Sequence, residues 1–178
     1  MRAAVALSLF AALVSGAALA SLPDGAKAPD FTTQASLGGK EFTFSLAKAL
    51  HQGPVVLYFY PAAFTPGCTI EAHDFAEAIN QFKAEGATVI GVSHDPIDKL
   101  DKFSVSECRS KFAVAADDNQ TIEKEYDAVL AVKPVYANRT SFVIGQDGHI
   151  AYTYTDLSPD KHVANTLAAV KAWRDNHH

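Results

Sequence analysis

The run "VVLYFY", Val55 to Tyr60, sets six apolar or aromatic residues in a row with no polar alternation. A strand with one wet face alternates, so an unbroken run fits a central strand buried on both faces. Such a strand needs a covering layer above and below its sheet. The residues that follow supply one. From Thr69 to Glu85, Ala72, Phe75, Ala76, Ile79 and Phe82 recur at helical spacing and form a single apolar stripe. Gly86 stops that helix, and "ATVIGVS" reads as a second buried strand.

The remaining segments extend this pattern. "DFTTQ" and "KEFTF" are two short strands about the Gly38-Gly39 turn, and a short helix near Leu46 to Leu50 ends at Gly53-Pro54. Pro96 opens a helix running to about Cys108, "FAVAAD" is a strand and "QTIEKEY" a short helix. "SFVIGQDGHIAYTYT" is a hairpin about Asp147-Gly148. In the closing helix, "SPDKHVANTLAAVKAWR", Pro159 suits the first turn, and Val163, Leu167, Val170 and Trp173 form the buried stripe. The order of elements predicts an α/β fold, with a central mixed sheet flanked by helices and an N-terminal β-hairpin extension.

No repeat, charge block or linker divides residues 21–178, which are expected to form one domain. Residues 1–20 have the layout of a secretory signal: one basic residue (Arg2), an apolar run, and Ala18-Leu19-Ala20 before Ser21. The alternative is a membrane anchor, for which the apolar part is short against a span of ~20 residues. The expected location is therefore periplasmic or secreted, with no membrane association after signal cleavage. Without Arg2 the chain carries 14 basic and 20 acidic residues and no basic cluster, which argues against a nucleic-acid partner. In an oxidising compartment its two cysteines, Cys68 and Cys108, could bridge, so composition leaves their roles open.

Position says more. Ligands of open α/β sheets bind beyond the carboxyl ends of the central strands. Cys68 lies there, beyond "VVLYFY" and at the first turn of the next helix. Free N–H groups and the helix dipole at that place stabilise a thiolate, the nucleophilic form of cysteine. The plainer alternative is a small buried apolar residue. Pro61 ends the strand and can shield the loop, and Thr65 supplies a hydroxyl that both accepts and donates. Pro61, Thr65 and Cys68 fall in the spacing P-x-x-x-T-x-x-C.

With that spacing the chain resembles the peroxiredoxins, in particular the bacterioferritin comigratory protein or peroxiredoxin Q group. "APDF" at Ala28 to Phe31, "FYPAAFTPGCTIEA", "GVSHD" and "RTSFVIGQDGHI" carry the resemblance across nearly the whole of residues 21–178. It implies a thioredoxin-like fold and a thiol peroxidase that needs no metal or organic cofactor. Cys68 would attack a peroxide and become a sulfenic acid. Arg139 would stabilise the thiolate and the charge developing on the peroxide. Thr65 would hydrogen-bond the sulfur and the peroxide, Pro61 would exclude water, and Glu71 would orient the arginine. The implied partners are hydrogen peroxide or a small organic hydroperoxide, and a thiol reductant such as a thioredoxin-like or glutaredoxin-like protein. A monomer or weak dimer is expected.

The sequence departs from the group at one position. Many members carry C-x-x-x-x-C, whose second cysteine resolves the sulfenic acid, but here that place holds His73. His73 is either a solvated helix residue or a pH-sensitive contact near the site. Cys108 is then the remaining candidate for a resolving thiol. The alternatives are an inert thiol, which leaves a one-cysteine cycle, or a cysteine paired permanently or with another chain. No histidine stands at a recognised zinc spacing from a cysteine, and no calcium loop is present. Thr65-Pro66-Gly67-Cys68 lacks the first cysteine of a disulfide-exchange motif. Asn119 and Asn138 fit the glycosylation pattern. A thioredoxin-like secreted binding or redox-sensing module without turnover is the non-enzymatic alternative.

Overall fold

A computed structural model describes residues 21–177; the expected signal segment lies outside the described residues. Seven strands form one mixed sheet: β1 (Thr32–Leu37), β2 (Lys40–Ser45), β3 (Val55–Phe59), β4 (Thr88–Ser93), β5 (Ala113–Ala116), β6 (Thr140–Ile144) and β7 (Ile150–Thr155). Their order is β2-β1-β5-β4-β3-β6-β7. The central β3 runs parallel to β4 and antiparallel to β6, and every one of its residues is buried. The β1–β2 hairpin joins the sheet through β5, with Ala35 opposite Ala115.

Alternation along β3 divides the core in two. Val56, Tyr58 and Tyr60 face one cluster, with Phe75, Ile79 and Phe82 of α2 (Pro66–Ala84), Leu100 and Phe103 of α3 (Ile97–Ser106), and Val170 of α5 (His162–Asp175). Val55, Leu57 and Phe59 face the other, with Phe31, Leu46, Ile122, Tyr126 and Phe142. That second layer includes α1 (Leu46–Leu50) and α4 (Thr121–Glu125). Every residue of the expected α2 stripe is buried. Each phenylalanine withdrawn from water in this way contributes ~1.5–3 kcal/mol.

Three expectations are corrected. The second helix starts at Pro66, not Thr69, because proline is tolerated at a first helical position, where its missing N–H has no partner to lose. The last helix starts at His162, after a turn closed by His162 N–H to Pro159 O (3.3 Å), so Pro159 precedes the helix. Its most buried positions are His162, Thr166 and Val170, whereas Val163, Leu167 and Trp173 are only half-buried. A stripe with two polar members is invisible to a search for apolar periodicity. Finally, α3 ends at Ser106, and Cys108 lies just beyond it.

Candidate active site

The chain leaves β3 through Tyr60, whose N–H still bonds Val92 O (3.2 Å), and turns at the half-buried Pro61. The loop that follows is pinned from beneath by the buried Asp95. Its Oδ2 accepts from Ala63 N–H (2.6 Å) and Ser93 Oγ (2.9 Å), and its Oδ1 takes Lys99 Nζ (2.6 Å). Phe64 is held at φ 67, a left-handed conformation costly for a bulky residue, with its ring edge-on to Phe103. Thr65 takes the N-cap position of α2, and its carbonyl accepts the helical bond from Thr69 N–H (2.9 Å).

Cys68 is thus in the first turn of a 19-residue helix, 1% exposed. The macrodipole of that helix places partial positive charge on the turn that holds the sulfur. Arg139 reaches it from the residue before β6. The guanidinium makes three contacts: Nε donates to Leu157 O (2.9 Å), Nη1 donates to Glu71 Oε2, and Nη2 lies 3.5 Å from Cys68 Sγ. Gly67 makes room for it, since a Cβ there would stand 3.0 Å from Nη2. Glu71 is fully buried one turn along α2, and its Oε1 has no hydrogen-bond partner. Burial pushes its carboxyl up to about 8 against the pull of Arg139.

Cys68, Arg139 and Glu71 therefore meet at the N-terminus of α2, and Pro61 lies in the loop that leads into it. Thr65 is beside them, but its hydroxyl donates to Ala62 O (2.9 Å) rather than to the sulfur. The extended N-cap backbone leaves that carbonyl within reach. In this orientation the hydroxyl oxygen keeps its lone pairs free to accept.

Cys108 is fully buried in the same apolar cluster as Cys68, and both thiols are free. Its N–H bonds Phe103 O (3.1 Å), and burial beside the Glu107 carboxylate pushes its thiol well up. His73 is not simply solvated: its Nε2 meets Glu107 Oε2 at 2.8 Å, tying α2 to the segment that holds Cys108.

Two participants escape sequence reasoning. Asp95 stands within "GVSHD", but nothing local shows that its carboxylate caps the loop of Ala63. His162 is buried at the start of α5 with its Nδ1 3.7 Å from Glu71 Oε1. Only its spacing from Thr166 and Val170, one helical turn apart each time, could have placed it on the inner face.

A model of the AhpC/TSA family matches residues 25–153. A chloroplastic peroxiredoxin Q of Oryza sativa subsp. japonica is 32% identical over 149 residues, 83% of this chain and 66% of that protein, just under two thirds of its length. A protein of Mycobacterium tuberculosis named as a peroxiredoxin is 36% identical over 132 residues, 72% of this chain and 85% of that one. Among solved structures, the peroxidoxin BcpB of Mycobacterium tuberculosis superposes with a TM-score of 0.76 at 32% identity, over 84% of this chain and 96% of its own. Peroxiredoxin Q of Xanthomonas campestris gives 0.69 at 28% identity, over 79% and 90%. The fold shared with these proteins is thioredoxin-like.

Proposed function

The chain belongs to the AhpC/TSA family as a peroxiredoxin, and from that premise we propose that it is a thiol peroxidase whose residues carry the reaction as follows. The Cys68 thiolate attacks the near oxygen of hydrogen peroxide or a small organic hydroperoxide. A sulfur–oxygen bond forms as the oxygen–oxygen bond breaks, leaving Cys68 as sulfenic acid and releasing hydroxide or alkoxide, which takes up a proton. Arg139 supports the thiolate and the charge on the departing oxygen through donors already fixed in place. Glu71 and Leu157 O hold the guanidinium, Pro61 restricts water, and the free lone pairs of Thr65 Oγ1 accept a hydrogen bond from the peroxide O–H.

The arrangement that carries this reading is Arg139 bridging Cys68 Sγ and Glu71 at the N-terminus of α2. Regeneration follows one of two routes. Cys108 condenses with the sulfenic acid to give a disulfide and water, and a thioredoxin-like or glutaredoxin-like protein reduces it; otherwise an external thiol reduces Cys68 directly. The segment of residues 1–20 supports export to the periplasm or beyond, with residues 21–178 working as a monomer or weak dimer.

Peroxide consumption with dithiothreitol tests the assignment. Wild type should consume peroxide far faster than free cysteine does, and Cys68→Ser should lose at least ~10³-fold, since no other thiol shares the Arg139 contact. Equal rates in the two proteins overturn it. Intact mass after one equivalent of peroxide separates the routes. A loss of about 2 Da in wild type, replaced by oxygen adducts in Cys108→Ser, establishes the disulfide; adducts in both establish the one-cysteine cycle.

A further inference from the structure

We propose that His162 is a positioning residue for the peroxidase reaction, fixing from the start of α5 both of the anchors that set the Arg139 guanidinium against Cys68. This rests on the roles of Cys68 and Arg139 given above. His162 is hydrogen-bonded to neither the sulfur nor Arg139; it acts on what Arg139 holds.

One anchor is the loop after β7. His162 Nε2 meets Asp156 O at 2.9 Å, and a carbonyl oxygen only accepts, so Nε2 carries the proton. The next residue, Leu157, offers its carbonyl to Arg139 Nε at 2.9 Å. Asp156 N–H also bonds Arg139 O (3.2 Å), so residues 156–157 wrap both the backbone and the side chain of the arginine. Fixing the Asp156 carbonyl therefore fixes the direction of the Leu157 carbonyl.

The other anchor is Glu71. With the proton on Nε2, Nδ1 has a lone pair, which accepts from Ser141 Oγ–H (2.8 Å). Ser141 lies two residues after Arg139, in β6. The same Nδ1 stands 3.7 Å from Glu71 Oε1, the oxygen left without a partner, and bounds the space that carboxyl can occupy. Burial and the nearby Arg139 charge lower the pKa of His162 and keep the ring neutral. The groups facing the ring are Ser141, Glu71, Arg139 through Glu71, Asp156, and the Tyr154 ring edge-on at 4.8 Å. A histidine that only filled the core would not need both nitrogens on groups adjacent to the supports of Arg139.

The test uses Cys108→Ser as parent, so that a single thiol titrates. The pH midpoint of the Cys68 thiolate is read from alkylation rate against pH, beside the second-order rate with hydrogen peroxide and the thermal midpoint. His162→Leu keeps volume and loses both hydrogen bonds. It should raise the thiolate midpoint by roughly one pH unit and slow the peroxide reaction roughly tenfold, since Arg139 is no longer held in register. His162→Gln, whose amide donates to Asp156 O and accepts from Ser141, should stay within about twofold of the parent.

A purely structural role lowers the thermal midpoint of His162→Leu without moving the thiolate midpoint or the rate, and that result overturns the proposal. If His162→Leu does not fold, Ser141→Ala releases Nδ1 with the ring retained. Its thiolate midpoint should rise by less but with the same sign, and an unchanged value overturns the proposal. The thiolate midpoint is read without peroxide. A parent that fails to consume peroxide therefore strikes the peroxidase reading, and the midpoints still decide the role of His162.

Discussion

At the scale of single residues, Arg139 holds one positive charge that two buried groups compete for. Burial raises the Glu71 carboxyl to about 8, so below that pH the carboxyl keeps its proton and the charge on Arg139 serves the Cys68 sulfur. Above it, the Glu71 carboxylate neutralises the guanidinium, and the transition state loses part of its counter-charge. The second-order rate with hydrogen peroxide should therefore fall as pH rises through about 8, roughly tenfold if ~1.4 kcal/mol is lost. Glu71→Gln still offers an oxygen to Nη1 but cannot ionise, so its rate should stay flat across the same interval. A wild-type profile that is flat there would falsify this division of charge. That Arg139 and Glu71 stand against Cys68 is what the resemblance to the peroxiredoxins implies, a resemblance carried by the P-x-x-x-T-x-x-C spacing and the late Arg139-Thr140-Ser141-Phe142 segment. His162 was not legible in the sequence, because its partners Glu71 and Ser141 lie on other elements and only folding brings them together. Nor does the sequence show which way the Thr65 hydroxyl turns, which a neighbouring carbonyl decides.

At the scale of elements, the segment after α3 is the weak point that resolution by Cys108 would exploit. Arg109 and Ser110 both sit at positive φ (50 and 53), which non-glycine residues adopt at a cost. The β1–β2 turn packs beneath them: Gly38 adopts φ +59, and a Cβ there would lie 3.1 Å from the Ser110 side chain. Two side-chain pairs, the His73 Nε2–Glu107 Oε2 contact (2.8 Å) and the Glu77–Arg109 ion pair (3.1 Å), tie the segment to α2. Both thiols are free and buried, so the segment holding Cys108 must shift before a disulfide can form with Cys68, and each pair resists that shift. Part-exposed pairs contribute ~0.2–1 kcal/mol, and His73→Ala or Arg109→Ala should therefore speed disulfide formation about 1.5- to 5-fold in acid-quenched mass analysis. Rates at or below wild type in both variants would sink this idea. The elements themselves were largely readable, since a short, unbroken apolar run rich in β-branched and aromatic residues fits a covered strand and the α2 stripe a covered helix. The start of α2 was misread because Pro66-Gly67 looks like a turn. In the fold the proline opens the helix, and the glycine makes room for Arg139.

Across the whole molecule, buried ionisable groups give stability opposing slopes with pH. Glu123 on α4 is fully buried, with its N–H on Asp117 Oδ2 (2.8 Å) and its own Oε2 accepting from Gln120 Nε2 (3.3 Å). Burial raises it, like Glu71, from 4.5 to about 8. Between those values the unfolded chain has released protons that the folded protein keeps, so this contribution is whole below 4.5 and lost as pH rises through about 8. His162 acts in the other direction. Its pKa is lowered by burial from 6.5, so below that value the unfolded chain takes up a proton that the folded site refuses, and stability falls as pH falls. Of the three groups, only the glutamates differ between folded and unfolded chain from ~6.5 to ~8. The urea midpoint should decline steadily over that interval, and Glu71→Gln and Glu123→Gln should each remove part of the decline, with the double variant nearly flat. Measured below ~6, the double variant should also lose stability with falling pH more steeply than wild type, because the opposing glutamate slope is gone and the histidine slope remains. A wild-type urea midpoint that stays flat from pH ~6.5 to ~8 would mean that these carboxyls ionise at ordinary values inside the fold, and that Arg139 is already neutralised near neutral pH.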